Sequence, residues 1–119
     1  MKLTQKQRTK LRRDMDVAFS KRIRARDGRC RVPDCDTGHV LQCAHIVSRR
    51  YLRVRYDDDN AVALCLGHHK KFTEDPLRWD EFVTSHLMTP TQYEELKTRA
   101  LRGPELDWEG TAERLEVSV

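Results

Sequence analysis

Four residues of the types that bind zinc stand in two pairs, Cys30 with Cys35 and Cys65 with His68. Two residues separate the second pair, a spacing that lets both side chains reach one tetrahedral ion from a tight turn; the first pair forms a wider knuckle. The alternative is that Cys65 is a buried strand cysteine and His68 an ordinary helix residue. Cys43 rivals His68 as a ligand, and we rank it as a core residue or a neighbour of the ligands. The spacing predicts one structural zinc.

A second set of polar residues, His45, Asn60 and His69, follows in steps of 15 and 9 residues along the chain. Taken alone each is unremarkable, and His39 and His86 are interpreted as surface or structural residues. The combination of this trio with the two zinc-type pairs is what makes a functional site the stronger hypothesis.

The sequence around these residues resembles that of the HNH endonucleases. Residues 25–30, ARDGRC, look like the segment that leads into the first zinc cysteine of that family. Residues 44–46, AHI, are similar to its first motif, and residues 59–69, DNAVALCLGHH, resemble its second and third motifs together. The match covers about residues 22–75.

The resemblance implies a ββα-metal fold supported by zinc, and cleavage of phosphodiester bonds in double-stranded DNA. It implies that His45 is the general base, since histidine titrates near neutral pH. His69 would bind a catalytic Mg²⁺, Mn²⁺ or other divalent cation, and Asn60 would either bind that cation or hold the loop in shape. Short zinc-bearing HNH chains look like those of bacteriophages and mobile elements. Phage packaging or recombination proteins are therefore expected as partners, and the cytoplasm (the host's, for a phage protein) as the location.

Two positions depart from the family pattern. Many members have Asp or His before the general base as a metal ligand, but this chain has Ala44, which cannot bind a cation. Side chains that could compensate are Asp57, Asp58, Asp59, Thr73 and Glu74. The family usually has Cys at the position of His68, although three cysteines and one histidine still form a sound zinc site.

The elements that position these residues can be read from periodicity and capping signals. Residues 4–24 are predicted to form a basic helix, because Thr4 and Gln7 fit a capping box and apolar residues recur every four positions. Residues 40–46 and 61–65 are predicted strands, and residues 67–74 a helix. The connection from Ser48 to Asn60 is predicted to be a polar loop without a packing stripe.

The rest of the chain is predicted to be helical and then loosely held. Residues 76–103 show two further helices with clear start and stop signals, and residues 104–119 form a tail with little periodicity. We therefore expect one α+β domain spanning residues 1–119, with the zinc-bound ββα core at residues 30–75.

Charge is distributed unevenly, and it favours a polyanionic partner. Residues 1–31 carry twelve Lys or Arg and three Asp. Neutralising phosphates releases counterions, so such a basic block favours DNA or RNA binding. The residues expected to contact DNA are Lys10, Arg12 and Arg13 in the helix and Arg49, Arg50, Arg53 and Arg55 in the loop. No apolar run reaches membrane-spanning length, so no membrane contact is expected, and we expect a monomer.

Two other functions compete with the nuclease hypothesis. One is a non-catalytic zinc module that binds nucleic acid through its basic helix, which Ala44 supports. The other is a protein–protein adaptor built on the same zinc core, with the apolar face of residues 77–87 as its docking surface.

Overall fold

The computed structural model describes residues 2–36 and 40–119. The chain begins with a long helix, α1, Gln5–Asp27. Its start is fixed by Thr4, whose hydroxyl accepts from the Gln7 N–H at 3.1 Å while the Gln7 side chain accepts from the Thr4 N–H at 2.8 Å. Its end is fixed by Gly28, which adopts the left-handed conformation that glycine tolerates best (φ 68°). The predicted basic helix is therefore confirmed, with one additional turn.

A two-stranded antiparallel sheet lies against this helix. Strand β1, Leu41–His45, pairs with β2, Ala61–Cys65, in a register that places His45 opposite Ala61. All five residues of β2 are buried, because helices cover both faces of the sheet. Helix α2, Leu66–Glu74, follows β2 without a break. The predicted order of strand, connection, strand and helix, and the α+β class, are confirmed.

One face of the sheet packs on α1 and the other on the C-terminal helices. The apolar stripe of α1 is buried as predicted; it comprises Leu11, Met15, Phe19 and Ile23. On the opposite face lie helix α3, Pro76–Phe82, a π-helical turn, Val83–Leu87, and helix α4, Pro90–Arg102. The sheet is therefore the middle layer between two apolar clusters.

The connection between the strands is more ordered than predicted. It contains two short 3₁₀ turns, Leu52–Val54 and Asp58–Asn60. Val54 is buried in the cluster on the α4 side, and Tyr56 in the cluster on the α1 side. The expectation of a loop without packing is wrong, because two apolar side chains spaced two residues apart anchor it in different cores.

The expectation of a loosely held tail is also wrong. Residues Trp108–Arg114 form helix α5, which Asp107 caps by accepting from the Gly110 N–H. Ala112 and Leu115 are buried in the same cluster as the stripe of α1. A seven-residue helix of about two turns needs little periodicity to bury two residues, so its sequence signal is weak. None of the described helices is both long and apolar enough to cross a membrane.

Asn60 holds the connection between the strands in shape through buried hydrogen bonds. Its side chain is fully buried; Oδ1 accepts from the Val47 N–H at 2.7 Å, and Nδ2 donates to the carbonyls of Val47 and Val54 at 3.1 and 3.0 Å. Every polar atom of the amide is thus used by the loop. Of the two roles implied for this residue, the structure favours holding the loop in shape.

Asn60→Ala is expected to lower the free energy of unfolding by about 2–4 kcal/mol, because buried backbone groups of the loop lose their partners. Urea denaturation of the metal-loaded protein would measure this loss. The matched control is Asp59→Ala at the neighbouring exposed position, where a surface ion pair is worth about 1 kcal/mol or less. Equal losses in the two variants would contradict the role given to Asn60.

Candidate functional site

Cys30, Cys35, Cys65 and His68 form one cluster, with their ligand atoms all within 4.8 Å of one another. The Sγ atoms of Cys35 and Cys65 are 3.8 Å apart, and His68 Nδ1 is 3.6 Å from Cys30 Sγ and 3.2 Å from Cys65 Sγ. Tetrahedral zinc with ordinary bond lengths places two sulfurs about 3.8 Å apart, and a sulfur and a nitrogen about 3.5 Å apart. The cluster could therefore hold a metal ion such as zinc.

Local structure explains why these four residues meet. Cys65 ends β2 and is also the N-cap of α2, so His68 lies one helical turn away and donates its N–H to Cys65 Sγ at 3.4 Å. The knuckle from Cys30 to Cys35 is tied to the sheet by a hydrogen bond from the Arg31 N–H to the Ala63 carbonyl at 3.0 Å. The cluster joins the segment after α1 to the start of α2.

Cys43 does not belong to this cluster. It packs against α1, with the core that contains Tyr56, and burial raises the pKa of its thiol to about 11. The structure thus resolves the choice between Cys43 and His68 in favour of His68. Within residues 2–36 and 40–119, the cluster is the one group of three or more His, Cys, Asp or Glu side chains close enough to share an ion.

His45 ends β1 and is held from two sides. Its Nε2 lies 2.9 Å from the Arg55 carbonyl, and its ring lies 5.7 Å from the ring of Phe19 on α1. A carbonyl oxygen can only accept, so neutral His45 carries its proton on Nε2 and leaves Nδ1 as an acceptor. Burial lowers the pKa of His45, which keeps the ring neutral near pH 7.

The carbonyl that orients His45 is itself fixed by an ion pair. The Arg55 guanidinium binds the Asp16 carboxylate with two hydrogen bonds, at 2.9 and 2.7 Å, and Tyr56 donates its hydroxyl to the same carboxylate at 2.8 Å. Burial alone would raise the pKa of Asp16, but the hydrogen bonds from Arg55 and Tyr56 leave it below its ordinary value. No sequence signal marks Asp16, because an acid in a basic helix looks like an ordinary surface residue.

His45 and His69 line the same open cleft, which has a volume of about 650 Å³. Its other walls are Asp16, Phe19 and Ser20 of α1, Cys43 of β1, Ser48 and Arg49 of the connection, and Thr73 of α2. Burial lowers the pKa of His69, so this imidazole also favours its neutral, ligand-competent form. The structure therefore brings together the two histidines that the sequence pattern had paired.

The carboxylates proposed to compensate for Ala44 are not in this cleft. Asp57 and Asp59 pair with Arg99, and Asp58 pairs with Arg22. The Thr73 hydroxyl does line the cleft, where it donates to the His69 carbonyl at 2.8 Å. Glu74 is exposed at the end of α2 and is not among the lining residues. Ala44 itself borders an adjoining apolar pocket of about 270 Å³, beside the rings of Phe72 and Trp79.

The arginines expected to bind DNA occupy different environments. Arg49 lines the cleft and Arg50 is exposed beside it. Arg53 donates to the Gly103 carbonyl at 2.8 Å, and Arg55 is held by Asp16, so both make internal contacts. In α1, Arg12 and Arg13 are exposed and Lys10 forms an exposed ion pair with Asp14.

Arg24 is a basic residue next to this cleft that no sequence signal distinguishes from its neighbours. Its Nε donates to the carbonyl and hydroxyl of Ser20, a cleft residue, and its charge acts on Cys43, another cleft residue. Among the described residues Arg24 forms no ion pair, whereas Arg22 and Arg26 on the same helix bind Asp58 and Asp27. Arg49 thus lines the cleft, and Arg24 contacts Ser20 in its wall without lining the cleft itself.

Comparisons of this chain with protein-family models, with curated proteins and with solved structures found no match. The geometry of the two sites is therefore the basis for assigning a function.

Purified protein is expected to contain one tightly held zinc per chain, and removal of this zinc by a chelator is expected to unfold it, because the free energy of binding a structural zinc contributes directly to folding. Metal analysis and circular dichroism before and after chelation would measure both effects. Cys65→Ala is expected to lose the metal, whereas the control Cys43→Ala keeps it. A protein that stays folded without metal, or loses zinc equally in both variants, would contradict this assignment.

Proposed function

We propose that this protein is a metal-dependent endonuclease that hydrolyses phosphodiester bonds of double-stranded DNA. The observation that carries the proposal is the placement of His45 and His69 in one open cleft, each with one ring nitrogen hydrogen-bonded to the protein. This arrangement offers a proton acceptor and a cation ligand to the same bound group. The zinc-type cluster supports it by fixing the start of the helix that carries His69.

His45 is the general base in this proposal. The hydrogen bond from Nε2 to the Arg55 carbonyl leaves Nδ1 unprotonated and able to accept a proton from water. The lowered pKa of the ring keeps this acceptor available at neutral pH. The attacking water loses its proton to Nδ1, and the bond from phosphorus to the oxygen of the leaving strand breaks as the new phosphorus–oxygen bond forms. The leaving oxygen takes up a proton from solvent.

His69 is the residue that would hold a divalent cation, with the Thr73 hydroxyl as a neighbouring oxygen. A bound cation would stabilise the charge that develops on the phosphate and on the leaving oxygen. The donor set fits such a cation only in part, because His69 is the one imidazole of the cleft left for it once His45 acts as the base, and position 44 carries no carboxylate. Phosphate oxygens of the substrate therefore have to complete the site.

His45→Ala is expected to reduce nicking of supercoiled plasmid by about 10²–10⁴-fold while DNA and cation binding persist, because only the proton acceptor is removed. His69→Ala removes a cation donor, so its defect should be partly relieved at higher metal concentration. Ala44→Asp should lower the Mg²⁺ concentration needed for half-maximal nicking. The measurement is the nicking rate over Mg²⁺ and Mn²⁺ titrations for all variants.

The matching control for these variants is zinc content, which should stay at the wild-type value because none of the three residues belongs to the cluster. Full activity in His45→Ala would overturn the mechanism.

Arg24→Gln and Arg49→Gln are each expected to weaken binding to a short DNA duplex, and to reduce the slope of log affinity against log salt by about 1, the value for one lost phosphate contact. Fluorescence anisotropy over a salt series measures both quantities. The control is Lys21→Gln, the same loss of charge on the face of α1 that meets α5. If Lys21→Gln has as large an effect as the other two variants, the cleft is not the DNA-binding surface.

The second candidate function is a zinc module that binds nucleic acid without cutting it. The observation in its favour is the apolar surrounding of Ala44, where a cation ligand is missing. DNA binding without nicking under any divalent metal would favour this function. The adaptor hypothesis loses its docking surface, since Phe82 and Val83 are buried in the protein's own core and only Leu77 of the proposed face is strongly exposed (81%).

A further inference from the structure

Gln42 makes a short side-chain hydrogen bond to His69, which lies outside the apolar core and outside the proposed catalytic steps. Its Oε1 lies 2.6 Å from His69 Nδ1 and joins β1 to α2 across 27 positions of sequence. Gln42 is exposed, so its contact contributes little to the core. A glutamine at this position of a strand is an ordinary polar residue, and nothing in the sequence distinguishes it.

The contact determines which nitrogen of His69 can bind a cation. The amide oxygen of Gln42 can only accept, so neutral His69 must carry its proton on Nδ1. A protonated ring nitrogen has no lone pair for a metal, and Nε2 is then the available ligand atom. His69 lines the cleft, whereas Gln42 lines neither the cleft nor the adjoining apolar pocket.

The helix alone does not fix this orientation. Successive residues of a helix project about 100° apart, so His68 is directed to the Cys30 cluster and His69 to the cleft. The ring of His69 can still rotate about its own bonds, because one edge faces open space. A hydrogen bond from the strand is the constraint that selects both the ring orientation and the protonated nitrogen.

We propose that Gln42 is a positioning residue that holds His69 with Nδ1 protonated and Nε2 presented to a divalent cation in the cleft. This inference rests on the proposed function for the identity of the ligand, but its first consequence, the tautomer of His69, can be measured without any catalysis. Partners that hydrogen-bond to a ligating histidine in this way typically contribute about 10–100-fold to metal affinity.

The decisive pair of variants is Gln42→Leu, which removes the acceptor, and Gln42→Glu, which keeps an acceptor oxygen at the same distance along the side chain. Long-range ¹H–¹⁵N correlation spectra of the zinc-loaded protein report the tautomer of His69 without DNA or catalytic cation. Wild type and Gln42→Glu are expected to show Nδ1 protonated, and Gln42→Leu is expected to lose this preference.

The second readout is the binding of Mn²⁺, followed by its electron paramagnetic resonance signal, to His45→Ala protein saturated with a short DNA duplex, with the duplex alone as the blank, since phosphate oxygens have to complete the site. Gln42→Leu should weaken Mn²⁺ binding by about tenfold or more, and Gln42→Glu should restore or exceed the wild-type affinity. The nicking rate of Gln42→Leu should approach that of wild type at saturating Mn²⁺, whereas a variant with a damaged fold would remain slow. Unchanged zinc content confirms that the fold is intact.

The failures of the two proposals are distinguishable. An unchanged tautomer together with unchanged Mn²⁺ affinity in Gln42→Leu would overturn the role of Gln42, even if the wild-type protein nicks DNA. A wild-type protein that never nicks DNA would overturn the proposed function, whereas a Gln42-dependent tautomer and Mn²⁺ affinity would still support the positioning role.

Discussion

A sheet of two five-residue strands is too small to fix the direction of a side chain by itself. The placement of His45 therefore depends on what covers the sheet, and α1 provides most of that support. Phe19 packs on the imidazole, while Asp16, one turn earlier, holds Arg55, whose carbonyl accepts from His45. The ion pair is partly buried and has two parallel hydrogen bonds, a geometry that contributes more to orientation than a single surface contact does.

The C-terminal end of α1 is attached to the sheet in a different way. Asp27 is almost fully buried; it accepts from the Ala63 N–H at 2.8 Å and pairs with Arg26 and Arg31. Burial would raise the pKa of Asp27, but these hydrogen bonds and positive charges leave it lower than usual, so the carboxylate stays ionised in the fold. The cluster of three cysteines and one histidine begins three residues later at Cys30. The helix is thus fixed at the sheet by a buried carboxylate and by the cluster, which together determine where Asp16 and Phe19 lie.

Sequence reasoning succeeded where the signal is local and periodic. The capping box at Thr4 and the spacing of the cluster residues specify their structures within a few positions, and both are confirmed. It failed where the deciding contact is distant in sequence. Gln42, Asp16 and Arg24 gain their places in the site from partners on other elements, and no local pattern marks them. The acids of residues 57–59 look like cation ligands in the sequence, but arginines of α1, α4 and α5 bind them.

The apolar environment of Ala44 has a consequence for the order in which the proposed nuclease would assemble. A carboxylate at that position would hold a cation before substrate arrives, whereas Ala44 lies beside Phe72 and Trp79 and offers no donor. His69 alone provides weak affinity, so phosphate oxygens must supply most of the remaining donors. Binding of cation and DNA is then mutually dependent, because each raises the affinity for the other by the same factor. Two arginines gain importance in such a site, Arg49 in the wall of the cleft and Arg24 next to Ser20, since in this proposal they retain the phosphate against which the cation is bound.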